Sequence, residues 1–307
     1  MLEEALSNYA ITVKASELIR HNENMTYKIR GKNQKYILRI HKPIKGFNLG
    51  LLRMGKEAFF MIEEEMILLD TLAKKTNLGT QRVVRNKQDQ FVTILADGTP
   101  ATLLEWVNGC TLEQVTLTDA ICFELGVMIA KMHQGFHEIS LCHRYRYDGE
   151  LLSKMMEEAC VAYECGHFTE EQMKVIGKTL ELIQEYMVSN QQRFTLVHSD
   201  LSLSNLIYEN GSIIPIDFSL SGSSVPEMDV ASVCSHIVKR EFHQAIRNGY
   251  ESILGDCLDS KGIEACSCLQ ILLFVVCQHN AVAKESWFPD ALNRWCKDFF
   301  LPLIQMK

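Results

Sequence analysis

His198-Ser199-Asp200-Leu201-Ser202-Leu203-Ser204-Asn205, continued by Leu206-Ile207-Tyr208, Glu209-Asn210-Gly211-Ser212 and Ile213-Ile214-Pro215-Ile216-Asp217, is the stretch on which the fold turns. The short β-prone run ahead of it, Phe194-Thr195-Leu196-Val197, places His198 at the end of a strand. Ser199 to Ser204 is polar at alternate positions and reads as a loop. Leu201, Leu203 and Leu206 can anchor that loop to a core while Asp200 and Asn205 point into a cleft. Asn210-Gly211 is a strong hairpin signal, so Leu206–Tyr208 and Ile213–Ile216 should pair as its two arms. A hairpin of this length sets Asn205 and Asp217 side by side at one edge.

These are the residue types that phosphoryl transfer uses. A carboxylate orients the attacking hydroxyl, while an amide and a second carboxylate hold the magnesium that neutralises the triphosphate. Magnesium prefers oxygen ligands and binds one or two carboxylates together with substrate phosphates. Asp200, Asn205 and Asp217 match that requirement in type and in order.

At these residues the chain resembles the aminoglycoside phosphotransferase and choline kinase superfamily, which shares the protein-kinase-like fold. The kinase catalytic loop reads H-R-D-x-x-x-x-N and its metal site reads D-F-G. Here the loop runs from His198-Ser199-Asp200 to Asn205, and the metal motif reads Asp217-Phe218-Ser219. Members that act on small molecules usually carry glycine where this chain has Ser199, and commonly lack the glycine of D-F-G. The resemblance implies Asp200 as catalytic base and Asn205 and Asp217 as ligands of Mg2+. It implies that His198 holds the loop through a backbone hydrogen bond. It also implies an α+β, bilobal protein-kinase-like fold. A small β-rich lobe over residues 1–107 would bind ATP or GTP, and a larger, mainly helical lobe over 108–307 would carry catalysis and the acceptor.

The N-terminal third can be read against that expectation. Asn22 to Thr26 is a polar turn, and Tyr27–Arg30 and Tyr36–Ile40 are β-prone runs joined by a Gly31-Lys32-Asn33 hairpin loop. No G-x-G-x-x-G lies in that first turn, which speaks against an ordinary protein kinase. Arg39 stands where the resemblance places the phosphate-holding cation; the plain alternative is a solvated strand charge. Glu57 to Lys75 has helical spacing at Met61, Ile62, Met66, Leu69 and Leu72. Among Glu63, Glu64 and Glu65, the family pattern selects Glu65 as the partner of Arg39, and Glu63 and Glu64 read as a solvated face. Phe91–Leu95 and Ala101–Val107 form a further hairpin about Asp97-Gly98, ending at Asn108-Gly109. In the superfamily this junction binds adenine through its backbone, which points to Glu105 and Val107.

Beyond the junction the pattern turns helical. Leu117 to His133 repeats apolar residues at Ile121, Leu125, Met128, Ile129 and Met132, with Gly126 permitting a close helix contact. His133 and His137 read as surface or cap residues, since Gly135 and the lack of a following Glu exclude a zinc-protease motif. Leu151–Tyr163 and a helix capped by Thr169-Glu170-Glu171 and ending near Asn190 form an insertion that lines the acceptor site in the superfamily. Glu157, Glu158, Glu164, Glu170 and Glu171 in it either focus a cationic acceptor or form a solvated face. Leu220 to Val225 reads as a loop, and Asp229 opens the next helix, where the resemblance makes it a brace for the catalytic loop. Glu241 to Lys307 is helical in pattern, and its apolar Ile271–Cys277 run is too short to span a membrane.

Composition narrows the function. The chain has 307 residues, 47% hydrophobic, enough for two lobes with cores. A net charge of -7, a pI of about 5.8 and no basic stripe argue against a nucleic-acid binder. The acidic start Met1-Leu2-Glu3-Glu4 shows no secretory signal. Eleven scattered cysteines fit reduced thiols in a cytoplasm better than a disulfide framework, and Cys266-Ser267-Cys268 has no second pair at metal-knuckle spacing. The expectation is a cytoplasmic small-molecule kinase that uses magnesium and ATP or GTP, with no nucleic-acid or membrane partner. Its acceptor would be a hydroxyl compound, by charge balance a cationic one such as an aminocyclitol. The alternatives are a nucleotide-binding pseudokinase, a metabolite kinase for homoserine, choline or a sugar, and a protein kinase, which the missing A-P-E segment disfavours.

Overall fold

A computed structural model of the chain describes residues 1–45, 50–53, 57–137, 139–255 and 258–306. After helix α1 (Leu2–Ser7), strands β1 (Val13–His21), β2 (Met25–Gly31) and β3 (Lys35–Ile40) form an antiparallel meander. Helices α2 (Gly50–Arg53) and α3 (Ala58–Lys75) follow, then β4 (Val83–Val84), β5 (Thr93–Ile94) and β6 (Pro100–Glu105). The sheet order is β1-β2-β3-β6-β4, with β5 also on β6. Strand β1 escapes the sequence reading because it is an edge strand with both faces largely exposed, so it lacks the apolar alternation that marks half-buried strands. The C-terminal end of β3 is the reverse case. Leu38 and Ile40 are fully buried, and Arg39 between them is buried too.

The chain then becomes mainly helical: β7 (Cys110–Thr111), α4 (Asp119–Phe136), β8 (Tyr145–Arg146), α5 (Gly149–Glu164) and α6 (Glu170–Ser189). Helices α4, α5 and α6 each start on a side-chain cap. The Thr118 hydroxyl accepts from the Ile121 N–H, Asp148 accepts from Glu150 and Leu151, and Thr169 forms a capping box with Gln172. Strands β9 (Thr195–Val197), β10 (Leu206–Glu209), β11 (Ser212–Pro215) and β12 (Gly222–Ser224) frame the stretch quoted above. Helices α7 (Glu227–Ser235), α8 (Arg240–Leu254), α9 (Ser260–Cys277), α10 (His279–Val282), α11 (Phe288–Trp295) and α12 (Leu301–Gln305) complete the fold. Of the helical run expected from Glu241 to Lys307, residues 256–257 and 307 lie outside the described residues.

Two expectations need correction. Leu220–Val225 is not merely a loop. Gly222–Ser224 forms β12, parallel to β8 and antiparallel to β9. Its small residues hide the strand pattern but allow the close approach: a Cβ on Gly222 would lie 2.5 Å from the Tyr145 carbonyl oxygen. Ile271–Cys277 is the end of a longer apolar helix, α9, which by length and composition alone could cross a membrane. Half of α9 is buried, with Leu269, Leu272 and Val276 in the core shared with α5 and α6.

Gly126 does bring two helices together. A Cβ there would strike the Ile246 carbonyl of α8, and one on Gly249 would strike the Phe123 carbonyl of α4. Gly249→Ala should therefore force the two backbones apart and destabilise by about 1–3 kcal/mol, as overpacking does. A urea midpoint equal to that of the unmutated protein would show that the contact yields freely.

Candidate active site

The hairpin arms pair from Leu206↔Pro215 to Glu209↔Ser212, and Asn210 (φ 50°) and Gly211 (φ 85°) both adopt the left-handed conformation a two-residue I′ turn demands. The Ile216 N–H donates to the Asn205 carbonyl at 2.9 Å, which seats Asp217 beside Asn205. Asn205 Nδ2 donates to both the Asp200 carbonyl and Asp200 Oδ2, each at 2.9 Å. One amide group thereby fixes the direction of the Asp200 carboxylate.

His198 is buried and pinned on both ring nitrogens. Its Nε2 donates to the Ile216 carbonyl at 3.0 Å, and its Nδ1 accepts from the Asp200 N–H at 3.3 Å. That pairing selects the neutral Nε2–H tautomer, and burial pushes its pKa down in the same sense. Asp229, fully buried on α7, accepts from the His198 N–H at 2.8 Å and the Ser199 N–H at 2.7 Å. Those bonds hold Ser199 at φ 69°, a left-handed conformation uncommon for a residue with a Cβ. Gln270 Nε2 on α9 donates to the Ser199 carbonyl at 3.0 Å.

His133 is neither a surface nor a cap residue. It is buried, with Nε2 2.9 Å from Asp229 Oδ2 and Nδ1 2.9 Å from the Tyr250 hydroxyl. Burial works to raise the Asp229 carboxyl, but the His133 bond, the His133 charge and the His198 contacts outweigh it and bring the pKa below its usual value. Sequence spacing missed His133 because its partners lie on α7 and α8, about a hundred residues away. His137 does end α4, as its C-cap.

Arg39 is buried on β3 and not a solvated strand charge. Its Nη2 donates to Glu65 Oε1 at 2.7 Å and its Nη1 approaches Asp217 Oδ1 at 3.4 Å. Burial alone would lower the guanidinium pKa, but Glu65 and Asp217 reverse that and keep it charged. Glu64 departs from the solvated face read for it. Its carboxylate accepts from the N–H groups of Cys142 and His143, both at 2.8 Å, and lies 2.9 Å from His143 Nδ1. Burial tends to raise its pKa, and those bonds bring it down instead.

A cleft of about 480 Å3 collects Arg39, Val107, Asp200, Asn205 and Asp217 with the Asn22–Asn24 turn. Glu105 is not among its lining residues. Its N–H donates to the Arg82 carbonyl at 2.8 Å and its own carbonyl accepts from Gln81 Nε2 at 3.1 Å. The backbone of Glu105 is thus engaged in the sheet and with Gln81, whereas Gln81 and Trp106 line the cleft. None of Glu157, Glu158, Glu164, Glu170 and Glu171 lines it either. Glu158 meets His279 Nε2 at 2.8 Å and Glu170 pairs with Lys174. Arg20 and Gln81 reach the cleft without any motif that marks them in the sequence.

The donor set suits a hard cation. The Asn205 amide nitrogen is spent on Asp200, which leaves Oδ1 as its other polar atom, and Asp217 is a half-buried carboxylate one hairpin position away. Among the described residues no group of three or more His, Cys, Asp or Glu could hold a metal. One amide and one carboxylate are what magnesium takes when phosphates complete its shell. Burial and then the Asp217 charge push the Asp200 carboxyl up to about 7, against the Asn205 bond and Arg20.

Residues 15–260 match the model of the phosphotransferase enzyme family, APH, and the chain belongs to that family. Amicoumacin kinase of Bacillus subtilis (strain 168) is 23% identical over 228 residues, which are 71% of this chain and 62% of that protein. The match thus spans under two thirds of that relative's length. Among solved structures, amicoumacin kinase in complex with AMP-PNP, Ca2+ and Ami superposes with a TM-score of 0.74 at 15% identity, over 99% of this chain and 92% of that one. The microcompartment-associated aminopropanol kinase gives 0.70 at 18% identity, over 99% and 94%. A spectinomycin phosphotransferase in complex with ADP and spectinomycin gives 0.65 at 12%, over 99% and 96%. The expected α+β kinase-like fold, with its sheet N-terminal and its helices C-terminal, is the fold of this chain.

Proposed function

We propose that this chain is a magnesium-dependent small-molecule kinase that moves the γ-phosphoryl group of ATP, or of GTP, to an acceptor hydroxyl. The observation that carries the reading is the convergence of Asp200, Asn205, Asp217 and Arg39 on one cleft. Val107 and Gln81 line the same cleft, which supports their facing the base of a bound nucleotide. Arg39, aimed by Glu65, offers its fixed charge to phosphate oxygens. Asn205 Oδ1 and the Asp217 carboxylate would hold magnesium, which supplies neutralisation of the phosphate charge. Asp200, steered by the Asn205 amide, orients the acceptor hydroxyl and takes its proton late in a loose transition state, where position outweighs basicity.

The acceptor is proposed as an amino alcohol or aminocyclitol, supported by the net charge of -7 and by the relatives named for amicoumacin, aminopropanol and spectinomycin. The five insertion glutamates lend no support, since they lie off the cleft. Scattered, unpaired cysteine spacing supports a reducing, cytoplasmic setting.

The test is ADP release with magnesium and ATP across a panel holding those three compounds, choline, homoserine and sugars. Acceptor-dependent release that disappears in Asp200→Asn supports the reading and identifies the acceptor class. Absence of both release and magnesium–nucleotide binding would overturn it. Binding without release would favour the nucleotide-binding alternative.

A further inference from the structure

Asp217 sits in a left-handed conformation (φ 64°, ψ 68°) immediately before a single 3-10 turn, Phe218–Leu220. Aspartate enters this region more readily than most residues with a Cβ, and contacts on both sides hold it there. On one side His198 holds the Ile216 carbonyl. On the other side the holder is Arg144, a buried residue that no motif singles out. Its Nη2 donates to the carbonyls of Phe218 at 2.8 Å and Ser219 at 2.6 Å, and its Nε to that of Ser221 at 3.0 Å. A cation among the last carbonyls of a turn is the favourable placement for its dipole, and the planar fork reaches several at once.

The remaining arm of Arg144 leaves that loop. Nη1 donates to the Met61 carbonyl on α3 at 2.6 Å. In an α-helix the carbonyl of residue 61 also accepts from the N–H of residue 65. Arg144 therefore ends on the helical turn that carries Glu65. A closed circuit results. Glu65 meets Arg39, Arg39 approaches Asp217, the carbonyls after Asp217 meet Arg144, and Arg144 returns to α3. The segment that carries Arg144 is fastened at both ends. Glu64 takes the N–H groups of Cys142 and His143, and the Tyr147 hydroxyl donates to the Leu220 carbonyl at 2.7 Å.

We propose that Arg144 is a positioning residue: it locks the Asp217 loop to α3 from behind, so that Arg39 can leave Asp217 and turn to the phosphates without releasing the loop. The two arginines are unequal in the way this requires. The Arg39–Asp217 contact is long, at 3.4 Å, and faces the cleft, whereas the Arg144 bonds to Met61, Phe218, Ser219 and Ser221 are 3.0 Å or shorter, those to Met61, Phe218 and Ser221 being buried. The proposal rests on the reading of Asp217 as a magnesium ligand.

The test compares Arg144→Gln and Arg144→Lys with the unmutated protein. The first readout is amide hydrogen exchange over residues 217–222 without nucleotide or metal, and the second is calorimetric titration of AMP-PNP at several magnesium concentrations. Arg144→Gln should speed exchange in that loop while leaving α8 and α11 unchanged, and should raise the magnesium needed for half-saturation by about 10–100-fold, the usual effect of losing an outer support of a metal site. Arg144→Lys, which keeps the charge but not the fork, should fall between. A purely structural role would lower thermal stability and the competent fraction without moving magnesium half-saturation. That result, or unchanged loop exchange, overturns the proposal. If Arg144→Gln fails to fold, Glu64→Gln loosens the same segment from its half-exposed end and should shift both readouts in the same direction; no shift there overturns the proposal as well. Absence of magnesium-dependent nucleotide binding in the unmutated protein would instead overturn the reading of Asp217, and this proposal with it.

Discussion

Asp200→Asn should lower acceptor-dependent turnover by about 10²- to 10⁴-fold, the range over which a positioned general base contributes. Nucleotide affinity should change by no more than about threefold, because the removed interaction is made with the acceptor in the transition state. Asparagine keeps the size of the side chain, so the loop closed by Asn205 need not rearrange. The same substitution should stabilise the protein when assayed without magnesium or nucleotide. Burial and Asp217 raise the Asp200 pKa to about 7, so above that pH the folded state holds a charge that the unfolded chain carries more easily. Between the ordinary carboxylate value and about 7 the folded state binds the extra proton, and stability falls as pH rises through that window. The gain in melting temperature from Asp200→Asn should accordingly be full at pH 8, shrink toward pH 5 and vanish below pH 4. A variant that melts lower than the unmutated protein at pH 8 would refute this, and turnover within tenfold would remove Asp200 from catalysis.

Asp217→Asn should weaken magnesium-dependent nucleotide binding by about 100-fold, the upper end of what losing even an outer-shell partner costs. Asparagine is the informative replacement because, unlike alanine, it tolerates the left-handed backbone at this position. The loss would then report the missing charge and not a displaced loop. Two further effects follow from the geometry. Arg39 keeps Glu65 but loses its second carboxylate, and Asp200 loses the neighbouring charge that helps to raise it, so its pKa should come down. Calorimetry of AMP-PNP with and without magnesium checks the first point. Equal affinities for variant and unmutated protein would exclude Asp217 as a ligand.

The hairpin from Asn205 to Asp217 was legible because its determinants are local. Asn210-Gly211 sets the turn, the turn sets the register, and the register sets Asn205 against Asp217. Helix α3 was legible for the same reason, its buried stripe being written at helical spacing. What stayed hidden depends on contacts between distant segments. His133 looked like a helix-end histidine until α7 and α8 enclosed it with Asp229 and Tyr250. Glu64 and Glu65 are neighbours of one type, yet one caps the chain at residues 142–143 and the other meets Arg39. Arg144 carries no pattern at all, because its partners are backbone carbonyls and any sequence supplies those. Glu105 is a further case: its place in the chain does not reveal that it lies off the cleft lining or that Gln81 and the sheet engage its backbone.

Ser199 bears on how members of this family can be sorted. At φ 69° a serine is strained relative to the glycine that the resemblance places there, by a sum on the order of 1 kcal/mol. Glycine would lift that strain but would also give the unfolded chain more freedom, worth roughly 0.4–1 kcal/mol in the opposite direction. The two nearly cancel, and the Ser199 N–H bond to Asp229, made by the backbone, survives either choice. Ser199→Gly should leave the denaturation midpoint and turnover almost where they were, and a large change in either would contradict this balance. If that balance holds, serine at this place is compatible with a working catalytic loop, and the departure from glycine is not by itself a mark of a silent enzyme.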